Sequence, residues 1–262
     1  MRNIKLIIEY DGTNYSGWQI QNSPQSIVHS PQKKSIQEVI EKTLQRILRE
    51  KVKIIGSGRT DSGVHALAQT ANFKTNSSLA LKKIQKALNS LLPADISIKE
   101  VWEADKDFHS RYRAKSKIYR YFILNSEIRS AFLDKHAWHI PYQLDVRLMR
   151  KESKALVGRH DFKSFCASGS SVKTTVRTIK KISVKEALSP QLSALSSPAI
   201  IIEIEANGFL YNMVRNIVGT LVEIGRGRFK EKDLNRILLA RNRKQAGPTA
   251  PAQGLFLAEV KY

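Results

Sequence analysis

The sequence predicts an α+β protein built from two related halves, and three observations lead there. Apolar residues fall into period-two and period-3.6 runs, the runs over residues 1–107 follow the order β-α-β-β-α-β, and the same order returns over residues 108–262. In the first half, Ile4-Lys5-Leu6-Ile7-Ile8-Glu9-Tyr10 is rich in β-branched residues and ends at Asp11-Gly12, which predicts a strand running into a turn. Ser35 and Glu38 have capping-box spacing, and Ile36, Val39, Ile40, Leu44, Ile47 and Leu48 form a helical stripe behind them. Val52 to Ile55 and Ala68 to Phe73 read as strands, Leu79 to Leu92 as a helix stopped by Pro93, and Ile96 to Trp102 as a closing strand. This order is that of a ferredoxin-like unit, an antiparallel sheet with both helices on one face.

In the second half, Lys117 to Leu124 predicts a strand, Asp145 to Val157 a helix, and Val176 to Lys185 and Ala199 to Ala206 two strands. Phe209 to Ile224 then reads as a helix and Leu255 to Lys261 as the last strand, with an extra helix over Lys230 to Ala240. No residue-by-residue repeat links the halves, so the duplication rests on element order alone. Two such halves, 1–107 and 108–262, would leave an active-site cleft between them. Asn22 to Lys34 and Ala187 to Pro198 read as inserted loops, and neither is assigned a site.

The composition points to a polyanionic partner. Lys and Arg number 44 against 23 Asp and Glu, a formal net charge of +21, well beyond what solubility alone requires. No apolar run approaches the length of a bilayer span, and the chain enters its first strand directly from Met1 with no signal-like segment. A cytoplasmic protein without membrane insertion is therefore expected. Cys166 is the only cysteine, which rules out an intrachain disulfide or a Cys-rich zinc site, and its plain reading is a small buried hydrophobe.

Three stretches carry candidate chemistry. Between two predicted strands lies Gly56-Ser57-Gly58-Arg59-Thr60-Asp61-Ser62-Gly63-Val64-His65-Ala66. Read by itself it is an ordinary turn in which Asp61 accepts local N–H groups, and its glycine spacing fits neither a P-loop nor a dinucleotide fingerprint. The mostly apolar run from Asn207 to Leu221 contains one charge, Arg215, in the same helical row as Val218 and Val222. A charge facing packed surface needs an anionic partner, either a carboxylate of the protein or an RNA phosphate. In Arg111-Tyr112-Arg113-Ala114-Lys115-Ser116-Lys117-Ile118-Tyr119-Arg120-Tyr121-Phe122, basic and aromatic residues interleave, and strand alternation puts Lys117, Tyr119 and Tyr121 on one face. Such a strip suits phosphates and an unstacked base, though an amphipathic strand that buries its rings has the same pattern. His136 and His139 lack the Cys or carboxylate companions of a metal site, so no metal is expected, and His65 reads equally as an acid-base group or a structural hydrogen-bond partner.

These residues carry a resemblance. Gly58 to Ala66 resembles the catalytic motif of the A-type tRNA pseudouridine synthases. Asp11-Gly12-Thr13-Asn14-Tyr15-Ser16-Gly17-Trp18-Gln19, Lys117-Ile118-Tyr119-Arg120-Tyr121, Met213-Val214-Arg215-Asn216 and Ala250-Pro251-Ala252-Gln253-Gly254-Leu255 match further motifs in the same order. The resemblance implies isomerisation of uridine to pseudouridine at positions 38, 39 and 40 of the tRNA anticodon stem-loop, by a homodimer that uses neither cofactor nor metal. It makes Asp61 the catalytic aspartate, Arg215 the basic residue paired with it, Tyr119 the ring that stacks on the target base, Arg59 the arginine associated with displacing that base, and Leu255 an apolar wall residue. Two other readings share the charge and the fold: a non-catalytic RNA-binding protein built from the same basic-aromatic strip, and a glycosidase that releases free base.

Overall fold

The computed structural model describes residues 1–20, 33–169, 172–187 and 199–262. Of the two expected inserted loops, only Lys33, Lys34 and Ala187 fall within the described residues. The chain forms two compact units, Met1–Lys115 together with Leu257–Tyr262, and Ser116–Phe256.

The first unit contains β1 (Arg2–Tyr10), α1 (Ile36–Leu48), β2 (Ile55–Gly56), β3 (His65–Thr75), α2 (Leu81–Leu91) and β4 (Ile96–Ala104). Strand order runs β4-β1-β3, with the short β2 on the other side of β3, and all of these pairs are antiparallel. That is the predicted ferredoxin-like arrangement. β1 lies at the centre, with Leu6 opposite Ala71 on one side and Val101 on the other. Its alternation is read directly by the sheet: Ile4, Leu6 and Ile8 are fully buried, while Lys5, Ile7 and Glu9 are only partly so. Ser35 caps α1 by accepting the Glu38 N–H at 3.1 Å, and Ile36, Ile40 and Leu44 form its buried stripe. α2 packs against β4 and against α1, and buries Ile84 and Leu88.

The strand expected over Val52 to Ile55 shrinks to Ile55–Gly56. The cause is competition by side chains of α1: Glu41 accepts the Ile54 N–H at 2.9 Å and Gln37 donates to the Ile54 carbonyl at 3.3 Å, so residue 54 needs no strand partner.

The second unit contains β5 (Ser116–Asn125), β6 (Trp138–Ile140), α3 (Val146–Ser153), β7 (Gly158–Asp161), β8 (Val176–Ala187), β9 (Ala199–Ala206), α4 (Met213–Gly225), α5 (Asp233–Ala240) and the start of β10 (Leu255–Lys261). Its strands run β5-β9-β8-β7 in antiparallel pairs, and β6 lies parallel to the end of β5. β6 and β7 were not expected from the sequence. Trp138-His139-Ile140 is only three residues long, and Gly158-Arg159-His160-Asp161 has no apolar alternation, so both owe their conformation to the strand beside them. The helix expected over Asp145 to Val157 is α3 followed by a 3-10 turn at Lys154–Leu156, with Asp145 capping the Leu148 N–H at 2.8 Å.

α4 is the core helix of this unit: every residue from Met213 to Gly225 except Arg215 is buried. It starts at Met213 rather than Phe209 because Asn212 adopts a left-handed conformation, φ 56°, which a continuing helix forbids. No helix among the described residues is long and apolar enough to cross a membrane.

The burial pattern of β1 gives a stability test. Leu6→Ala should cost about 2–5 kcal/mol in a denaturant titration, and Ile7→Ala on the opposite face clearly less. Equal losses would contradict the assigned facing.

Candidate active site

Asp61 and Arg59 lie in the first unit, on the loop that joins β2 to β3. The loop is irregular, so its backbone groups must find partners elsewhere. Ser57 N–H donates to the Thr70 carbonyl at 2.8 Å, the Gln69 side chain donates to the Gly58 carbonyl at 2.9 Å, and Trp18 N–H donates to the Thr60 carbonyl at 3.1 Å. The buried Tyr10 hydroxyl meets the Thr60 hydroxyl at 2.7 Å, and burial pushes the Tyr10 ionisation well above the normal range, so it stays a neutral partner. Val64 N–H closes a tight turn onto the Asp61 carbonyl at 3.1 Å, with Gly63 at φ 76°.

The segment Asp11 to Trp18 forms a collar against this loop. A Cβ on Gly12 would sit 2.0 Å from the Val64 carbonyl oxygen, and one on Gly17 would sit 2.4 Å from that of Thr60. Gly17 also has φ 94°, so only glycine fits both its conformation and the approach. The Ser62 hydroxyl donates to the Tyr15 carbonyl at 2.9 Å, which ties the far side of the turn to the same collar. Asp61 is half-buried and Arg59 exposed, so the loop is held by its backbone while Arg59 keeps access to solvent.

His65 is fully buried. Its Nδ1 lies 3.1 Å from both the Gly12 N–H and the Asp11 Oδ1, and the tautomer decides which of the two it binds. With either partner it joins the collar to β3, which is the structural role. Asp11 Oδ1 itself accepts the Thr13 N–H at 2.9 Å.

Tyr119, Arg215 and Leu255 belong to the second unit. Tyr119 and Tyr121 on β5 are both buried, as expected of an amphipathic strand that buries its rings. The Tyr121 hydroxyl donates to the Pro251 carbonyl at 2.8 Å, and burial raises its ionisation far above the normal range. The Tyr119 ring makes an edge contact with Phe209, ring centroids 5.0 Å apart, just ahead of α4. Arg215 Nε donates to the Ala250 carbonyl at 2.6 Å and Nη1 to the Asn212 side chain at 3.0 Å. Backbone and side-chain amide oxygens therefore take part of the role that the sequence had given to an anion alone. Leu255 is buried at the start of β10, next to the Gly254–Tyr121 contact.

The second unit thus brings β5, the start of α4 and residues 250–255 together around Tyr121, and the first unit joins Arg59 and Asp61 on one loop. Sequence reasoning missed the supports of these groups: Tyr10 and Thr60 behind the Asp61 turn, and Asn212 and Ala250 beside Arg215. Thr60 and Ala250 lie within the motifs, and Tyr10 and Asn212 directly precede them.

A family described as tRNA pseudouridine synthase matches residues 6–113 and 153–262, which include the Asp61 loop, its collar, α4 and the 250–255 segment. The chain belongs to the tRNA pseudouridine synthase family. Members of this family are isomerases that convert uridine to pseudouridine in tRNA. Tyr119 lies between the two matched stretches, but full-length relatives cover it. A tRNA pseudouridine synthase A of Acetivibrio thermocellus is 48% identical over 262 residues, all of both chains. Those of Caldicellulosiruptor saccharolyticus and of a Thermoanaerobacter species are 47% and 44% identical, again over all of both chains.

The collar gives a direct test of how the loop is held. Gly17→Ala should destabilise the protein by about 1–3 kcal/mol through strain at the left-handed position. It should also speed hydrogen exchange of the Thr60–Val64 amides, read by mass spectrometry. Unchanged exchange there would show that the close approach does not order the loop.

Proposed function

We propose that this chain isomerises uridine to pseudouridine at positions 38, 39 and 40 of the tRNA anticodon stem-loop, with Asp61 as the catalytic carboxylate. The observation that carries this reading is end-to-end similarity, 44–48% identity without gaps in coverage, to tRNA pseudouridine synthases A. The net charge of +21 supports a nucleic-acid substrate.

The reaction breaks the N1–C1′ bond of uridine, turns the detached ring and forms a C5–C1′ bond. The hydrogen on C5 leaves as a proton and N1 gains one, so atoms and electrons balance without an outside donor. Cleavage creates positive character at C1′, which the Asp61 carboxylate stabilises or captures, as carboxylates do in glycoside chemistry. Addition of Asp61 to C6 of the base, or abstraction of a sugar proton, serves the same overall exchange.

Each route needs an ionised carboxylate, and Arg215 is the cation assigned to favour that form. The base must also leave its stack. We assign Arg59, exposed on the loop, to fill the vacated space or hold phosphate, and Tyr119, whose ring is oriented by Phe209, to cover the displaced base. Leu255 contributes an apolar wall. Exclusion of water from the cleaved sugar keeps the outcome isomerisation rather than hydrolysis. We further propose that the enzyme works as a homodimer in the cytoplasm, and that residues 1–107 carry the Asp61 loop and 108–262 the Tyr119 strand and Arg215 helix as two functional halves.

The decisive experiment uses tRNA tritiated at uridine C5. The parent should release tritium and no free uracil, while Asp61→Asn should bind tRNA normally and lose turnover. Near-parental tritium release by Asp61→Asn would remove the assignment, free uracil would identify a glycosidase, and tRNA binding without release would leave a silent RNA-binding protein. Light scattering on the same preparation should give the mass of two chains, and a monomer mass would end the homodimer proposal.

A further inference from the structure

Arg215 is the one residue of α4 that is not buried, and its guanidinium is held by a carbonyl that lies outside any helix or strand. That carbonyl, on Ala250, belongs to residues 246–250, which run without regular secondary structure along α4. An irregular segment has no ladder to fix it, so its position depends on individual hydrogen bonds. Three of those bonds come from one side chain. Arg243 Nη1 donates to the Gly247 carbonyl at 2.9 Å and to that of Ala246 at 3.4 Å, while Nη2 donates to the Thr249 hydroxyl at 3.0 Å and to the Asn216 Oδ1 at 2.9 Å.

Asn216 is the residue next to Arg215 and is fully buried. Its Oδ1 also accepts from Thr249 at 2.6 Å, and its Nδ2 donates to the Phe165 carbonyl at 2.8 Å. Arg243 thereby joins three points of the 246–250 segment to the turn of α4 that carries Arg215. The contact is intimate along the whole turn: a Cβ on Gly219 would meet the Pro248 carbonyl oxygen at 1.8 Å, and Ala250 N–H donates to the Arg215 carbonyl at 3.1 Å. Ala250 therefore grips Arg215 twice, by its N–H on the main chain and by its carbonyl on Nε.

We propose that Arg243 is a positioning residue for the isomerisation, acting through the 246–250 segment to set the direction of the Arg215 guanidinium. The inference rests on the role given to Arg215 above. Both Nη atoms point at protein acceptors, so Arg243 is committed to this support rather than to an RNA phosphate. Its planar fork serves two directions at once, which the ammonium of a lysine cannot reproduce.

The test is single-turnover tritium release at saturating enzyme, with tRNA affinity measured separately. Arg243→Ala should slow the chemical step about 10- to 100-fold, the order expected when a reacting group is misplaced by about 1 Å. Affinity should move by less than about twofold, and Arg243→Lys should recover only part of the rate. In an Arg215→Ala background, Arg243→Ala should cost less than about twofold more, because the group it positions is gone.

An equal loss in both backgrounds, or weaker tRNA binding with an unchanged rate, would overturn the inference. If Arg243→Ala does not fold, Thr249→Val decides the same cycle, since it removes only the hydroxyl shared by Arg243 and Asn216. A slow Arg215→Ala enzyme beside a fast Arg243→Ala enzyme would remove this inference alone. A parental rate for Arg215→Ala would remove the role of Arg215 and this inference with it.

Discussion

Buried irregular backbone must find a partner for each N–H and C=O group, and both the loop that carries Asp61 and the segment that holds Arg215 are irregular. A helix or strand meets this demand internally. The loop between β2 and β3 and the stretch 246–251 meet it from outside: the first through Trp18, Gln69 and Thr70, the second through Arg243, Arg215, Thr220 and Tyr121. The loops are therefore ordered by hydrogen bonds as specific as those of a sheet, and each support that a side chain supplies can be lost by a single substitution.

The residue types at these places follow from the same demand. Glycine at 12 and 17 lets the collar reach the loop carbonyls, and glycine at 219 lets the 246–250 segment lie on α4. Tyrosine at 10 and 121 places a rigid ring in the core with a hydroxyl that reaches one polar atom at its edge. Arginine at 243 gathers several acceptors with one planar group. Asp61 and Arg215 then need no rigidity of their own, because the backbone on which each stands is held from more than one side.

Most of the fold was legible because its signals are periodic. The alternation in Ile4 to Tyr10, the stripe behind Ser35 and the long apolar run of β9 each report one element locally, and they appear where they were expected. β6 and β7 were not legible, since their residues carry no alternation and are extended only because β5 and β8 pair with them. The shortened β2 and the delayed start of α4 have separate local causes. Side chains of α1 took the backbone groups of residue 54, and Asn212 turned left-handed before Met213.

The motifs alone determined the family-like pattern and, through that resemblance, the candidate groups Asp61, Arg59, Tyr119, Arg215 and Leu255. What each of two similar tyrosines packs against was decided only by tertiary structure: the Tyr121 hydroxyl reaches the Pro251 carbonyl, while the Tyr119 ring meets Phe209. The partners of Arg215 were likewise invisible in advance, because Ala250 lies 35 residues away in sequence and acts through its main chain. A backbone carbonyl has the same chemistry whatever the residue, so its role comes from where the chain places it and from no letter of the sequence.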